Sequence, residues 1–320
     1  NTAVGQGALA ANTTADLNVA VGRNALLANT TGESNTVVGT YAADAITTGS
    51  YNTVMGQGAL TVSTTGTENT AIGRASLHLS TTANYNTAVG YNALYGNTTG
   101  SSNTAVGHKV FQNLTTGVEN VGMGNSCYQE VTTGAANVGM GVSAGCSVTT
   151  GSYNTIVGNQ AGRNSTTASY NVMMGHDAGE TITTGTYNVA VGPYSMDCAA
   201  GGTGSNNTAV GRNTLKSLTG GYSNVAMGYG TGDAITTGHS NILMGENAGG
   251  LITTGHNNIC LGGSAGAKNT ANSNVFIGNS AGSEVTSGSG HIAIGAYSLQ
   301  LMTTGSACTA VGYKALQDAT

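Results

Sequence analysis

Residues 35–51 read NTVVGTYAADAITTGSY, and this 17-residue stretch is one copy of a repeat that fills the whole chain. The spacing is 17 residues throughout, except for a 19-residue copy at 188–206 and a 16-residue copy at 258–273. We therefore expect one repeat array over residues 1–320, forming part of a longer protein. The first residue of each copy is called position 0, and the nineteen copies begin at Asn1, Asn18, Asn35, Asn52, Asn69, Asn86, Asn103, Asn120, Asn137, Asn154, Asn171, Asn188, Asn207, Asn224, Asn241, Asn258, Asn274, His291 and Cys308.

Positions 1 to 4 have the most regular composition in the repeat. Position 1 is always Thr, Val or Ile, position 3 is always Val, Ile, Leu or Met, and position 4 is Gly in all 19 copies. β-branched residues followed by Gly predict a short strand that ends at a sharp corner, where a positive φ or a close backbone contact excludes a Cβ atom. The corner glycines singled out here are Gly5, Gly22, Gly39, Gly56, Gly73, Gly90, Gly107, Gly158 and Gly245.

The second half of each copy carries a Thr-Thr-Gly segment, as in residues 47–49. This segment is interpreted as a second strand followed by a turn. Two short strands in 17 residues are typical of one coil of a β-solenoid, whereas helical repeats have about 33 residues or more. We predict an all-β, parallel β-solenoid (a β-roll or β-helix) of about 19 coils, with about 4.8 Å between coils.

Position 0 is Asn in 17 of the 19 copies. Stacked coils would bring these side chains into a ladder of amides that bond to one another, because a buried amide without a partner is costly. His291 and Cys308 interrupt the ladder near its C-terminal end. The predicted ladder includes Asn18, Asn35, Asn52, Asn69, Asn86, Asn103 and Asn154.

Position 2 is never polar. Alternate residues of a strand face opposite sides, so positions 1 and 3 point one way and position 2 the other. Because a solvated strand face would carry polar residues, we expect both faces to be buried. A thin coil has one interior, so we expect a second chain on position 2, within an intertwined or side-by-side parallel homotrimer. The candidate oligomer face consists of Ala20, Val37, Val54, Ile156, Leu243 and Phe276.

Positions 8 and 11 exchange volume in many copies. Leu60 is followed by Ser63, whereas Gly249 is followed by Ile252. This compensation indicates that both positions fill one core site.

The Asn-Thr-Ala-Val-Gly motif resembles the Asn-Ser-Val-Ala-Ile-Gly repeats of YadA-type trimeric autotransporter adhesin heads. It is closer still to repeats of phage tail-fibre-like and bacterial surface-fibre proteins. The resemblance covers essentially the whole chain. It implies an extended, extracellular trimeric fibre of a virion or cell surface that serves in attachment, with a surface glycan or receptor as its partner.

Composition excludes several classes of function. Eight Lys and Arg residues and a net charge of −5 leave no basic patch for nucleic acid. No apolar run approaches the roughly 18 residues needed to span a bilayer. The five cysteines fall at five different positions and predict neither zinc ligands nor disulfides.

The strongest catalytic candidate is a run of charges at position 9, formed by Arg163, Glu180, Asp197, Lys216 and Asp233. Stacking would bring Glu180 and Asp197 about 5 Å apart, a spacing found in retaining glycosidases. A ladder of solvated surface charges is the favoured interpretation. We therefore expect no enzymatic activity and no catalytic residue.

Two further patterns suggest ligands. His239 and His256 share position 15 in adjacent copies, but two histidines without a third ligand favour an ordinary turn, so no metal or other cofactor is expected. A tyrosine row at position 16 could contact sugars or another chain. This row consists of Tyr51, Tyr85, Tyr153, Tyr170 and Tyr187.

These patterns favour a structural fibre shaft or adhesin segment that attaches to a host or surface. Two alternatives stay open. Stacked threonines suggest a monomeric ice-binding solenoid, although adjacent threonines should face opposite ways and leave one column exposed. A polysaccharide-degrading tailspike is the other alternative.

Overall fold

The computed structural model describes residues 1–198 and 201–318. Two compact units divide the chain, unit 1 at 1–154 and unit 2 at 155–320. Each unit is a parallel β-solenoid with one short strand per coil, and no helix occurs in the described ranges. The predicted all-β solenoid fold is confirmed.

The described residues form nine strands in unit 1 and ten in unit 2, nearly all of them three residues long. Unit 1 contains β1 (Thr2–Val4), β2 (Val19–Val21), β3 (Thr36–Val38), β4 (Thr53–Met55), β5 (Thr70–Ile72), β6 (Thr87–Val89), β7 (Thr104–His108), β8 (Val121–Asn125) and β9 (Val138–Met140). Unit 2 contains β10 (Thr155–Val157), β11 (Val172–Met174), β12 (Val189–Val191), β13 (Thr208–Val210), β14 (Val225–Met227), β15 (Ile242–Met244), β16 (Ile259–Leu261), β17 (Val275–Ile277), β18 (Ile292–Ile294) and β19 (Thr309–Val311).

Within each unit, consecutive strands pair in parallel with equal repeat positions side by side. Val37 of β3 lies beside Val54 of β4 in unit 1. In unit 2 the register survives the irregular copies, because Val189 pairs with Thr208 across the 19-residue copy. The extra residues are therefore accommodated outside the strands.

Left-handed backbone conformations bend each coil at four points. The corner glycine at position 4 is one of them: Gly39 has φ 145°, and a Cβ atom there would lie 2.5 Å from the Gly56 carbonyl oxygen. Positions 6, 8 and 16 are also left-handed, as at Tyr41, Ala43 and Tyr51 with φ 54°, 48° and 60°. Hydrogen bonds to adjacent coils hold them, including Ala43 N–H to the Ala59 carbonyl at 2.9 Å.

The Thr-Thr-Gly segment is not a strand, and that prediction was wrong for the described residues. The N–H groups of Thr47 and Thr48 both donate to the Thr64 carbonyl, at 2.9 and 3.3 Å. Because two successive amides converge on one oxygen, the backbone bends there instead of extending.

The interior of each coil is filled by positions 0, 2, 7, 8, 11 and 14. The side chains at positions 2, 8 and 11 compensate for one another in size, so that a large residue at one position accompanies a small residue at another. A Cβ atom on Gly249 would lie 2.8 Å from Ile252 Cδ1 and 2.9 Å from Leu243 Cδ2. Conversely, Phe111 at position 8 fills the space beside Gly122 at position 2. The interior is therefore close-packed although its sequence varies.

The buried asparagines form the ladder along each unit. The Asn52 side-chain amide donates to Asn35 Oδ1 at 3.0 Å and to the Gly66 carbonyl at 2.9 Å. Its own Oδ1 accepts from the backbone and side-chain amides of Asn69, at 3.0 and 3.2 Å. Each asparagine thus closes its own coil and bonds to the coils on both sides.

The assignment of the two strand faces was wrong. The six residues expected to form an oligomer face, which are Ala20, Val37, Val54, Ile156, Leu243 and Phe276, are fully buried inside the coils of the single chain. Positions 1 and 3 point outward instead, as the exposed Thr53 and Met55 on either side of Val54 show. The interior surrounds position 2 because positions 8 and 11 pack against it.

Candidate functional site

The outward strand face, defined as the side chains at positions 1 and 3 of the strands, is the main candidate surface. No residue at these positions is charged. In unit 1 position 1 is mostly Thr, whereas in unit 2 it is mostly Val or Ile. Large apolar side chains at positions 1 and 3 are exposed at Val4, Met55, Val121, Met123, Val138, Met140, Met174, Val225, Met227, Ile242, Met244, Ile292, Ile294 and Val311.

The outward strand face is large for a single apolar patch. Ten strands at about 4.8 Å and a width of about 12 Å give roughly 580 Å² for unit 2. This value is at the upper end of the about 300–600 Å² found for the largest apolar patch of a typical monomer, a patch that is often functional. Such a surface is typical of a contact with another macromolecule.

The tyrosine row at position 16 borders the outward strand face. Tyr51, Glu68 and Thr70 line one shallow depression, so positions 16 and 1 are neighbours on the surface. All five tyrosines of the row are exposed, and the rings of Tyr170 and Tyr187 stack at 4.9 Å. The row adds aromatic area with a polar hydroxyl at its rim.

Both threonine columns lie on the surface, contrary to the expectation of one. Position 12 is half-exposed and its hydroxyl is engaged, as Thr47 Oγ1 donates to the Thr64 carbonyl at 3.1 Å. Position 13, as at Thr48, is exposed. Adjacent residues share this side because the backbone is bent there and does not alternate as a strand does.

The position 9 charges form a surface column in unit 2. Arg163 pairs with Glu180 at 3.2 Å. Burial first, and the adjacent Glu180 carboxylate second, raise the pKa of Asp197 to about 6, and burial raises the pKa of Asp233. Glu180 is thus paired with a guanidinium, and Asp197 lies close enough to Glu180 for the two carboxyl groups to repel each other. These contacts suit a column of surface charges.

The two histidines at position 15 belong to a stack of three rings. His239 lies between Tyr222 and His256, with ring centroids 4.6 and 4.8 Å away. Parallel stacked imidazoles direct their lone pairs side by side instead of toward one point, which does not suit a shared metal ion. Residues 1–198 and 201–318 contain no cluster of three or more metal-ligating His, Cys, Asp or Glu side chains.

Three cysteines lie in the interior as free thiols, namely Cys127, Cys198 and Cys260. Burial raises the pKa of each to about 12, so these thiols stay protonated at neutral pH. They contribute packing instead of nucleophilic chemistry.

His291 replaces asparagine in the ladder of unit 2 and is fully buried. Its backbone N–H donates to Asn274 Oδ1 at 2.9 Å, and its Nδ1 accepts from the Cys308 N–H at 3.4 Å. Its Nε2 atom has no hydrogen-bond partner. Burial lowers the pKa of the His291 imidazole below 6.5.

Acidification is expected to destabilise the coils around His291. As the pH falls from about 7.5 to 5, the imidazole of residue 291 takes up a proton near its ordinary pKa in the unfolded chain but resists it in the folded chain. The free energy of unfolding therefore decreases as the pH falls. His291→Asn restores the amide and should remove this dependence. Hydrogen exchange of β18 at both pH values measures it, with exposed His108→Asn as the control. If the stability of β18 depended on pH equally in the wild type and in His291→Asn, the buried imidazole would not be the cause of the acid sensitivity.

No helix in residues 1–198 and 201–318 combines the length and apolarity required to cross a membrane. The chain matches no family model, no curated protein and no solved structure.

Proposed function

We propose that this chain is a structural segment of an extracellular fibre, a shaft or adhesin segment of a virion or cell surface that serves in attachment. The observation that carries the proposal is the outward strand face, an uncharged, largely apolar surface that runs along each unit. Its occupants are two further copies of the same chain, arranged in parallel as a homotrimer.

Identical copies suit this surface because of its geometry. The exposed side chains repeat at every strand, so a partner must present a matching repeat over a comparable length. Another copy of the chain does so in register. The Asn ladder supports a shaft role as well, since it links each coil to its neighbours through buried hydrogen bonds.

Native mass by light scattering tests the oligomer. We expect three times the 31.5 kDa of one chain. The double substitution Met227→Lys and Met244→Lys should give monomers, because it buries unpaired charges in the contact. The matched control, Thr237→Lys with Thr254→Lys, changes exposed residues on the threonine side of the same coils and should stay trimeric. A monomeric wild type would contradict the proposal that the outward strand face is buried between copies of the chain.

Ice binding is the second candidate, and the outward position of both threonine columns favours it. Exposed hydroxyls would repeat at about 4.8 Å along the unit. A monomeric wild type that also shows thermal hysteresis would favour this function over the fibre. Thr237→Lys with Thr254→Lys should then reduce the hysteresis.

A further inference from the structure

A groove of about 470 Å³ lies on the side of unit 1, away from the buried core. It runs between the side chains at position 5 and those at position 9 of successive coils. Its two walls consist of Gln57, Arg74 and Tyr91 on one side and His78, Tyr95 and Gln112 on the other.

Small residues at position 6 make the floor of the groove. Gly58 and Ala75 occupy it, and both have the left-handed conformation of that position, with φ 62° and 55°. Position 6 of the preceding coil is Tyr41, and toward the other end the position is held by Asn92 and then by Lys109, which lies on the coil of Gln112. The groove therefore extends over three coil spacings, a length of about 14 Å.

The walls are held in place by contacts within the protein. His78 Nδ1 donates to the Gly58 carbonyl at 2.8 Å, and its ring stacks on Tyr95 at 5.1 Å. Tyr91 lies between the Arg74 guanidinium, 5.7 Å from its centroid, and the His108 ring at 5.3 Å. Because these side chains are already ordered, a ligand would lose little free energy in arranging them.

Arg74 is the one permanently charged residue that lines the groove, and none of the lining residues is acidic. The Asp44 carboxylate interacts with the wall through His78 and not through Arg74. Within residues 1–198 and 201–318, Arg74 forms no ion pair, whereas Arg163 and Lys268 pair with Glu180 and Glu284. The exposed Arg74 guanidinium therefore retains donors for a carboxylate or sulfate.

The remaining groups suit a chain of hydroxyls. Gln57 and Asn92 each offer an amide donor and acceptor, and Tyr95 offers a phenol. Gln112 offers its side-chain N–H groups, while its Oε1 already accepts from the Gln129 amide at 3.3 Å. Gln57 lies one coil before Arg74, Asn92 and Tyr95 lie one coil after it, and Gln112 lies one coil further. Neighbouring coils are about 4.8 Å apart, close to the length of one pyranose ring in a glycan.

We propose that this groove binds a short acidic saccharide, whose carboxylate or sulfate pairs with Arg74 and whose hydroxyls bond to the flanking amides. The site lies within unit 1 and does not depend on the fibre function or on the number of chains.

Isothermal titration calorimetry of the full chain tests the site with three tetrasaccharides: oligogalacturonate (carboxylated), a carrageenan fragment (sulfated) and a neutral galactan. We expect at least one acidic probe to bind with Kd below about 1 mM, more weakly as salt rises, and at least tenfold more tightly than the neutral one. Arg74→Gln should weaken binding by at least about tenfold. Arg212→Gln is the control, because Arg212 also lies at position 5 over a tyrosine ring, that of Tyr229, but outside the groove.

Ala75→Tyr tests the location by filling the floor without changing charge. Tyr41 and Tyr194 occupy the same position with φ 54° and 57°, so the backbone accepts tyrosine there. This variant should unfold at the wild-type temperature and lose binding. The proposal is overturned if neither acidic probe binds, if the neutral probe binds as well, if Arg74→Gln or Ala75→Tyr binds like the wild type, or if Arg212→Gln weakens binding equally.

Discussion

Replacing Asn241 by alanine is expected to destabilise unit 2 by on the order of 4 kcal/mol. The Asn241 amide donates to Asn224 Oδ1 and to the Gly255 carbonyl, both at 2.9 Å. Its Oδ1 accepts from the backbone and side chain of Asn258, at 3.0 and 3.1 Å. Alanine removes these four bonds and leaves the Gly255 carbonyl and the Asn258 backbone N–H buried without a partner, so each of the two adds a desolvation cost. Asn224 Oδ1 keeps the backbone N–H of residue 241, and the Asn258 side-chain amide keeps the Ala271 carbonyl.

Hydrogen exchange and thermal unfolding by circular dichroism measure this loss. Protection should fall most in β15 and β16, because a solenoid coil depends on its immediate neighbours. The control is Asn159→Ala, since Asn159 is an exposed asparagine of the same unit. A loss no larger than in this control would show that the amide ladder contributes little stability.

Gly249→Leu is expected to destabilise the same unit by about 3 kcal/mol through overpacking. The backbone is not the obstacle, because Leu60 occupies position 8 with φ 50°. The obstacle is the space already filled by Leu243 and Ile252.

A triple substitution should recover at least half of that loss. Leu243→Ala and Ile252→Asn added to Gly249→Leu reproduce the natural set Ala88, Leu94 and Asn97, in which the Asn97 amide donates to the Gly100 carbonyl at 2.8 Å. Each of the three single substitutions should be destabilising on its own, so the energies are strongly non-additive. Thermal unfolding of the four variants measures this. Additive losses would contradict a shared core site.

Much of this architecture could be predicted from the repeat. The strand at positions 1 to 3 and the volume exchange between positions 8 and 11 leave direct signatures in the sequence, because core geometry and Gly corners restrict residue types. The direction of the strand faces was harder, since a strand that is apolar on both sides does not indicate which side lies inside. The composition of position 2 nevertheless indicated that this position lies inside. Its residues range in size from Gly122 to Phe276, and such a range is explained by an interior in which neighbouring positions change size in the opposite direction.

The threonine segment and the groove were beyond sequence reasoning for a different reason. The bend at Thr47 depends on two amides sharing one carbonyl of the next coil, a tertiary bond that no local pattern reveals. The groove depends on how far Arg74, His78 and Tyr95 project from different coils. Side-chain directions outside strands and helices do not follow a simple period.

The pairing of each strand with the next copy has a mechanical consequence. Tension along the axis of a unit would load the hydrogen bonds of the terminal coil first, because each coil bonds to its immediate neighbours. Coils would then peel away one after another, each releasing about 55 Å of extended chain for 17 residues. A filament built in this way lengthens in steps and dissipates work under shear while its remaining coils stay folded.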